Sequence, residues 1–330
     1  MRILSPGAQR VVDRTDAVSA VVGRHIVRTP LEDFETASER CGARLLLKCE
    51  HRQRTGSFKV RGALAKVSRL DVEQRARGVV TASTGNHGLG VAYALATLGG
   101  TGFVCVPETA SPVKVAAIRR TGTEVRVLGS EPGETELLAR ALAEELGCIY
   151  ISPYNDLDVI AGQGTIGREI IEQLGDRDLD AIVVSVGGGG LISGVASAVV
   201  SRLPRVRVVG ASPANDAAMA ACVRAGSVVE IDALPTISDG TAGGIEPGAI
   251  TLPLCTELVD DWILVQEDAI HAALQFVIDT RHELIEGAAA TAVAAAIQHG
   301  ERNPGTRIAV VSCGANISSA MLRKALDVHQ

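Results

Sequence analysis

Short apolar runs alternate with segments of helical periodicity along most of this chain. The runs are rich in Val, Ile and Leu and are bounded by Gly, Pro or polar residues. They lie at residues 45–47, 78–82, 102–106, 124–128, 148–152, 181–186, 206–210 and 308–312. Strands that alternate with helices form a parallel sheet covered by helices on both faces. The pattern therefore predicts an α/β fold with an open, twisted and mostly parallel sheet.

A lysine in an unusual setting is the first candidate for chemistry. Residues 55–63 have the sequence TGSFKVRGA, with Gly56 and Gly62 on either side of Lys59. These glycines let the backbone pass close to a bulky group, and Phe58 offers an apolar wall. Desolvation there would lower the pKa of the lysine and make it a Schiff-base nucleophile. A solvated helix start is the alternative interpretation.

A run of four glycines is the second candidate. The apolar strand at 181–186 leads into Gly187–Gly190, and a helical pattern follows from Leu191. Backbone N–H groups at the start of such a helix can bind a phosphate without any side-chain charge. The alternative is a plain turn between strand and helix. Four consecutive glycines favour the phosphate site.

A polar turn after the strand at 79–82 is the third candidate. Ser83, Thr84 and Asn86 precede a helical pattern and are all residues that cap helices. Their side chains and the free N–H groups of the helix start could instead bind a carboxylate or a ring hydroxyl. As a cap alone, the segment would have no chemical role.

One glycine motif predicts a different chemistry, and its context argues against it. Gly162–Gly167 matches the dinucleotide pattern GxGxxG, and Asp180 lies about twenty residues further on. The preceding segment is a polar loop rather than a strand, so these glycines are predicted to allow close helix packing. A nicotinamide dehydrogenase is therefore the less favoured alternative.

Composition narrows the function classes. The net charge is −6 and the pI is about 5.7, which gives no basic field for nucleic acid. The sequence holds no apolar run long enough for a membrane span and no signal-peptide pattern, so we expect a cytoplasmic protein.

The seven cysteines form no CxxC pair and no zinc-ligand spacing. At 330 residues the chain is long enough for two lobes.

Together, these motifs identify a resemblance. The chain resembles the fold-type II pyridoxal-phosphate enzymes, within the serine/threonine dehydratase group that also contains serine racemase. Four motifs carry the resemblance over nearly the whole chain: Ser57–Ala63, Ser83–His87, Gly187–Leu191 and Cys313–Asn316. It implies two open, twisted, mostly parallel sheets, a large cofactor-binding domain of residues 1–70 and 155–330, and a small inserted domain of residues 71–154. It also implies a homodimer.

The resemblance implies a role for each motif. Lys59 would bond pyridoxal 5'-phosphate covalently and then act as the catalytic base, beside Phe58. The phosphate would bind Gly187, Gly188, Gly189, Gly190 and Leu191. Asn86 would contact the ring hydroxyl, and Cys313 would face the ring nitrogen. The amino-acid substrate would bind Ser83, Thr84, Gly85, His87 and Gly240, with Thr84 also a catalytic candidate.

The resemblance further implies β-elimination from an L-β-hydroxy amino acid such as threonine or serine, giving a 2-oxo acid and ammonia. A neutral thiol at Cys313 favours rapid loss of the β-leaving group. The alternatives are a dehydratase for a bulkier substrate (phenylserine, hydroxyaspartate or a hydroxyectoine-derived compound), a racemase, a β-replacement enzyme and a non-catalytic cofactor carrier.

Two departures from the family bear on metal and regulation. Ser212 and Ala218 stand where serine racemase-like relatives carry acidic metal ligands, so we expect no metal site. The chain ends soon after Asn316, so we expect no C-terminal regulatory domain. No nucleic acid or membrane partner is expected.

Overall fold

The computed structural model describes residues 2–83, 85–110 and 112–327. Within these ranges the chain forms ten strands and fourteen α-helices. The strands are β1 (Leu31–Asp33), β2 (Arg44–Lys48), β3 (Val79–Ala82), β4 (Gly102–Val106), β5 (Glu124–Val127), β6 (Ile149–Tyr150), β7 (Ala181–Ser185), β8 (Arg207–Pro213), β9 (Asp261–Val265) and β10 (Arg307–Val311). The helices are α1 (Pro6–His25), α2 (Glu35–Cys41), α3 (Lys59–Arg69), α4 (Val72–Arg77), α5 (Asn86–Leu98), α6 (Pro112–Arg119), α7 (Pro132–Glu145), α8 (Leu157–Leu174), α9 (Gly190–Arg202), α10 (Ala218–Ala225), α11 (Thr251–Leu258), α12 (Glu267–Arg281), α13 (Gly287–Arg302) and α14 (Ser319–Asp327).

Two sheets organise the fold. The larger has the strand order β1-β2-β10-β7-β8-β9 and the smaller has the order β5-β4-β3-β6. All neighbouring strands pair in parallel except β1 and β2. The central strands β7 and β10 are buried almost throughout, as continuous apolar runs require. The predicted fold class is confirmed.

The smaller sheet is built only from residues 79–150, which fall inside the predicted small domain of residues 71–154. The large sheet takes its strands from both flanks of that segment. The exact domain boundaries stay a prediction.

The sequence pattern did not predict two of the strands. Strand β1 has three residues and pairs antiparallel at the edge of the large sheet. Strand β9 lies at the opposite edge, where Leu264 is exposed and the apolar run is interrupted by acidic residues at its start. Strand β1 is too short, and β9 too interrupted by acidic residues, to give an apolar run that the pattern detects.

The dinucleotide-like glycines lie inside helix α8 and serve packing. A Cβ on Gly162 would come 2.5 Å from the carbonyl oxygen of Arg61, and one on Gly167 would come 2.7 Å from that of Val195. Helices α3 and α9 therefore approach α8 closely, as predicted.

Four loops follow the carboxyl ends of parallel strands, three of them in the larger sheet and one in the smaller. The segments that follow β2, β3, β7 and β10 carry, in turn, Lys59, Asn86, the tetraglycine turn and Cys313. Because the carboxyl ends of parallel strands share an edge, ligands bind there in open α/β sheets. None of the helices in the ranges that the structure describes combines the length and the apolarity needed to cross a membrane.

Candidate active site

A cavity of about 850 Å³ lies between the loops that follow these strands of the two sheets. It is lined by all the predicted site residues that fall in the described ranges: Phe58, Lys59, Ser83, Gly85, Asn86, His87, Gly187, Gly188, Gly189, Gly190, Leu191, Gly240 and Cys313. Thr84, the remaining candidate, lies outside the described residues. Segments more than 250 positions apart in sequence therefore meet around one space.

Lys59 is the first residue of α3 and lies in the cavity wall. Its Nζ donates to the carbonyl oxygen of Pro153 at 3.0 Å and lies 5.2 Å from the centre of the Phe58 ring. Burial lowers its pKa to about 8, although the charge of an ionised Glu286 would oppose that shift. Much more of this amine is therefore unprotonated near neutral pH than in a solvated lysine, as a nucleophile or base requires.

The tetraglycine turn has no room for side chains. Gly189 has a φ of +83°, and α9 begins at Gly190. A Cβ on Gly187 would come 2.7 Å from the carbonyl oxygen of Thr241, and one on Gly188 would overlap the ring of Tyr154. The first N–H groups of α9 lack partners within the helix and line the cavity. They suit an anionic group such as a phosphate.

Asn86 is held by a hydrogen-bond network that includes a residue the sequence analysis missed. Its Nδ2 donates to both carboxyl oxygens of Glu286, at 2.9 and 3.0 Å. Its Oδ1 accepts from Asn316 Nδ2 at 2.6 Å. Glu286 is 3% exposed and lines the cavity. An acidic residue directly before the alanine-rich segment 287–297 was the available signal.

His87 cannot bind a carboxylate through its ring. Its Nε2 lies 3.1 Å from the carbonyl oxygen of Ile151, which can only accept, so Nε2 carries the hydrogen. Burial, together with the nearby charge of Lys59, lowers the pKa of His87 to about 3. The ring is then neutral and Nδ1 is an acceptor. Any contact with a substrate carboxylate would use the backbone N–H at the start of α5.

Cys313 presents a neutral thiol. Its Sγ accepts from Ser185 Oγ at 3.5 Å and lies 3.9 Å from Glu286 Oε1. Burial raises the pKa of this thiol far above its usual value, with a further rise from Glu286. Deprotonation at physiological pH is therefore excluded, in agreement with the prediction of a neutral group.

These residues fit pyridoxal phosphate. A buried amine of lowered pKa, a glycine turn with filled Cβ positions and an oriented amide surround one cavity. Lys59 would bond the cofactor, the start of α9 would hold its phosphate, and Asn86 and Cys313 would face its ring. These assignments remain predictions for the individual residues.

Ser212 and Ala218 stand where serine racemase-like relatives carry acidic metal ligands. The side chain of Ser212 has another hydrogen-bond partner, and that of Ala218 has no atom that could bind a metal. Ser212 is buried, and its Oγ donates to the carbonyl oxygen of Val186 at 3.0 Å. Ala218 begins α10 and offers no oxygen ligand from its side chain. We therefore expect dialysis against EDTA to leave the turnover rate and the melting temperature unchanged. A loss of activity that magnesium or calcium restores would contradict this expectation.

Comparisons with known proteins agree with this site. The family model described as "Pyridoxal-phosphate dependent enzyme" matches residues 22–314. The catabolic L-threonine dehydratase of Escherichia coli K12 is 41% identical over 283 residues, which cover 86% of this chain and 85% of the relative. The processed threonine deaminase isoform 2 of Solanum lycopersicum superposes with a TM-score of 0.93 at 34% identity, covering 99% of this chain and 95% of that chain. Maize serine racemase gives a TM-score of 0.89 at 31% identity, with 96% of each chain covered. The chain belongs to the family of pyridoxal-phosphate dependent enzymes and has their fold type II architecture.

Proposed function

We propose that this protein is a pyridoxal-phosphate dependent lyase that converts L-threonine or L-serine to the corresponding 2-oxo acid and ammonia. The observation that carries the proposal is the presence, in one cavity, of an amine with a pKa of about 8 and a buried thiol that stays neutral. The similarity to the threonine dehydratase of Escherichia coli and the threonine deaminase of Solanum lycopersicum supports the same reaction.

The residues of the chain would bind the substrate and move its protons. When bound, pyridoxal phosphate supplies the electron sink for cleavage of the Cα–H bond. The backbone N–H groups at the start of α5 would receive the substrate carboxylate. Lys59 Nζ would take the Cα proton, and the Cβ–O bond would then break. The hydroxyl leaves with a proton as water, and the released enamine hydrolyses to the 2-oxo acid and ammonia.

Elimination is expected to dominate over racemisation. Racemisation needs a proton donor on the face opposite Lys59, and a threonine hydroxyl crowded by its own methyl group is a poor donor. With L-threonine, we expect the 2-oxo acid to form many times faster than any D-isomer. We also expect Thr84→Ala to keep most of the lyase rate. A coupled 2-oxo acid assay and chiral chromatography of the same reaction measure both products.

A different outcome of that experiment would favour the racemase alternative. D-amino acid formed at a rate comparable to the 2-oxo acid, and lost selectively in Thr84→Ala, would replace the lyase proposal. The similarity to maize serine racemase makes this a necessary comparison.

The second candidate is a dehydratase for a bulkier β-hydroxy amino acid. The cavity of about 850 Å³ and the open space around Gly244, where no atom lies within 4 Å of a built Cβ, favour it. A panel of threonine, serine, phenylserine and hydroxyaspartate in the 2-oxo acid assay would separate these substrates. It would also separate them from β-replacement and from a non-catalytic cofactor carrier.

Assembly and location are part of the proposal. All seven cysteines are free, and six of them are buried. Free thiols are typical of proteins in a reducing compartment, which supports a cytoplasmic location. We also propose a homodimer, since two-fold symmetric pairs are the commonest assemblies of soluble proteins.

A further inference from the structure

Glu286 has a buried carboxyl group that the proposed function does not use. The residue precedes α13 and has the position of its N-cap, yet its side chain makes no capping hydrogen bond to that helix. It turns instead into the cavity, where Asn86 and the backbone N–H of Asn316 donate to it. The carboxyl group thus lies between Asn86, predicted to contact the ring hydroxyl, and Cys313, predicted to face the ring nitrogen.

The hydrogen bonds of this cluster have a fixed direction. Asn316 Nδ2 donates to the carbonyl oxygen of Thr55 at 2.8 Å and to Asn86 Oδ1 at 2.6 Å, which uses both of its hydrogens. Asn86 must therefore present its oxygen to Asn316 and its nitrogen to Glu286. A flip of the Asn86 amide would place its nitrogen against the nitrogen of Asn316. Glu286 and Asn316 together determine which atom of Asn86 is a donor.

Two glycines make room for the cluster. A Cβ on Gly314 would overlap Glu286 Oε1, and one on Gly56 would come 2.5 Å from Asn316 Oδ1. Gly56 also has a φ of +70°, which favours glycine. The two loops that carry these glycines pair through Ser57 and Gly314. The backbone is thus shaped around the carboxyl group.

The surroundings of Glu286 decide whether it holds a proton. Burial raises its pKa most, the hydrogen bonds from Asn86 and Asn316 and the charge of Lys114 oppose the rise, the negative charge of Asp239 adds to it, and the net value is about 7. The titratable and charged groups around it are Lys59, Lys114, Asp239 and Cys313. An anionic ligand in the cavity would favour the protonated carboxyl group still more.

We propose that Glu286 is a positioning residue that orients the Asn86 amide toward the cofactor and takes up a proton when the anionic cofactor binds. The inference rests on the proposed function in one respect, the placement of the cofactor ring against Asn86. A proton on the carboxyl group removes a negative charge beside the ring. Proton uptake by Glu286 links cofactor affinity to pH.

The first test titrates pyridoxal phosphate into the apoprotein at pH 6.5 and 8.5. Proton uptake makes the dissociation constant rise with pH, so the ratio of the values at pH 8.5 and 6.5 should be roughly tenfold larger in the natural protein than in Glu286→Gln. Because Glu286 also raises the pKa of Lys59, both measurements are repeated in the Lys59→Ala background, where that amine cannot contribute a proton. Glu230→Gln, which removes an exposed carboxylate from the same cavity, should keep the natural ratio. An unchanged ratio in Glu286→Gln would overturn the proposal.

The second test uses the apoprotein alone and separates failure of this inference from failure of the proposed function. With a raised pKa, folded Glu286 keeps its proton while the unfolded chain loses it between about pH 4.5 and 7. The natural protein should therefore lose stability relative to Glu286→Gln across that window, with a constant difference above it. Parallel melting curves at all pH values would refute the buried proton. Absence of cofactor binding with this pH effect present would refute the proposed function only.

A further variant keeps the inference testable if Glu286→Gln does not fold. Asp239→Asn retains Glu286 and removes a charge that raises its pKa. The pH at which cofactor affinity begins to fall should shift downward in this variant. An upward shift, or none, would contradict the proposal.

Discussion

Lys59→Ala is expected to abolish turnover and to remove the visible absorbance of the cofactor-loaded protein. The alanine offers neither the amine that bonds the cofactor nor the base that takes the Cα proton. Loss of a positioned base alone lowers a rate by about 10²- to 10⁴-fold, so a loss of at least about 10³-fold is expected here. The visible spectrum and a 2-oxo acid assay of the purified variant measure both effects.

Lys66→Ala is the matched control for this experiment. Lys66 lies on the same helix, but its Nζ pairs with Asp156 Oδ2 at 2.6 Å. The control should keep the band and most of the activity, because a partly exposed ion pair contributes at most about 1 kcal/mol. Lys48 is already engaged by Thr29, Glu169 and Gln173. Borohydride reduction that still attaches the cofactor to Lys59→Ala would show that the anchor is another lysine.

Gly188→Ala is expected to weaken cofactor binding strongly. The new Cβ would overlap the Tyr154 ring, whose hydroxyl accepts from the backbone N–H of Glu246 at 2.9 Å and whose movement is therefore restricted. Overpacking of this kind costs about 1–3 kcal/mol. If the strain acts on the phosphate turn, the dissociation constant of pyridoxal phosphate should rise by roughly 5- to 150-fold. Fluorescence titration of the apoprotein measures it.

Gly244→Ala is the corresponding control. Gly244 lines the same cavity, but a Cβ there meets no atom within 4 Å. Its affinity for the cofactor should match that of the natural protein within about twofold, since an exposed methyl group that contacts nothing changes little. Equal affinities in Gly188→Ala and Gly244→Ala would mean that the phosphate does not bind at the tetraglycine turn.

Most strands of the fold could be predicted from the local pattern of apolar residues. The central strands β7 and β10 consist of Val, Ile and Ala apart from one polar residue at one end of each, because both of their faces are buried. The edge strands β1 and β9 could not be predicted in this way. The apolar run is short in β1 and is interrupted by acidic residues in β9. Burial on two faces leaves a long, continuous apolar pattern, whereas a short or interrupted strand leaves a weak one.

The site was predictable only in part. Lys59, Asn86 and the tetraglycine turn stand in local sequence contexts that indicate chemistry before any folding is considered. Glu286 stands before an apolar helix and resembles an ordinary N-cap. Its role depends on Asn86 and Asn316, which are 200 and 30 positions away. No local pattern encodes such a contact.

By itself, the sequence determined the strand and helix pattern, the glycine turns and the residue types available for chemistry, because these depend on near neighbours and on backbone freedom. Only the tertiary structure decided the electrostatic state of those residues. The lowered pKa of Lys59, the fixed tautomer of His87 and the buried carboxyl group of Glu286 arise from desolvation and from hydrogen bonds between distant loops. Those loops meet because strands of two sheets end at one cavity, an arrangement that the tertiary structure fixes and the linear sequence does not.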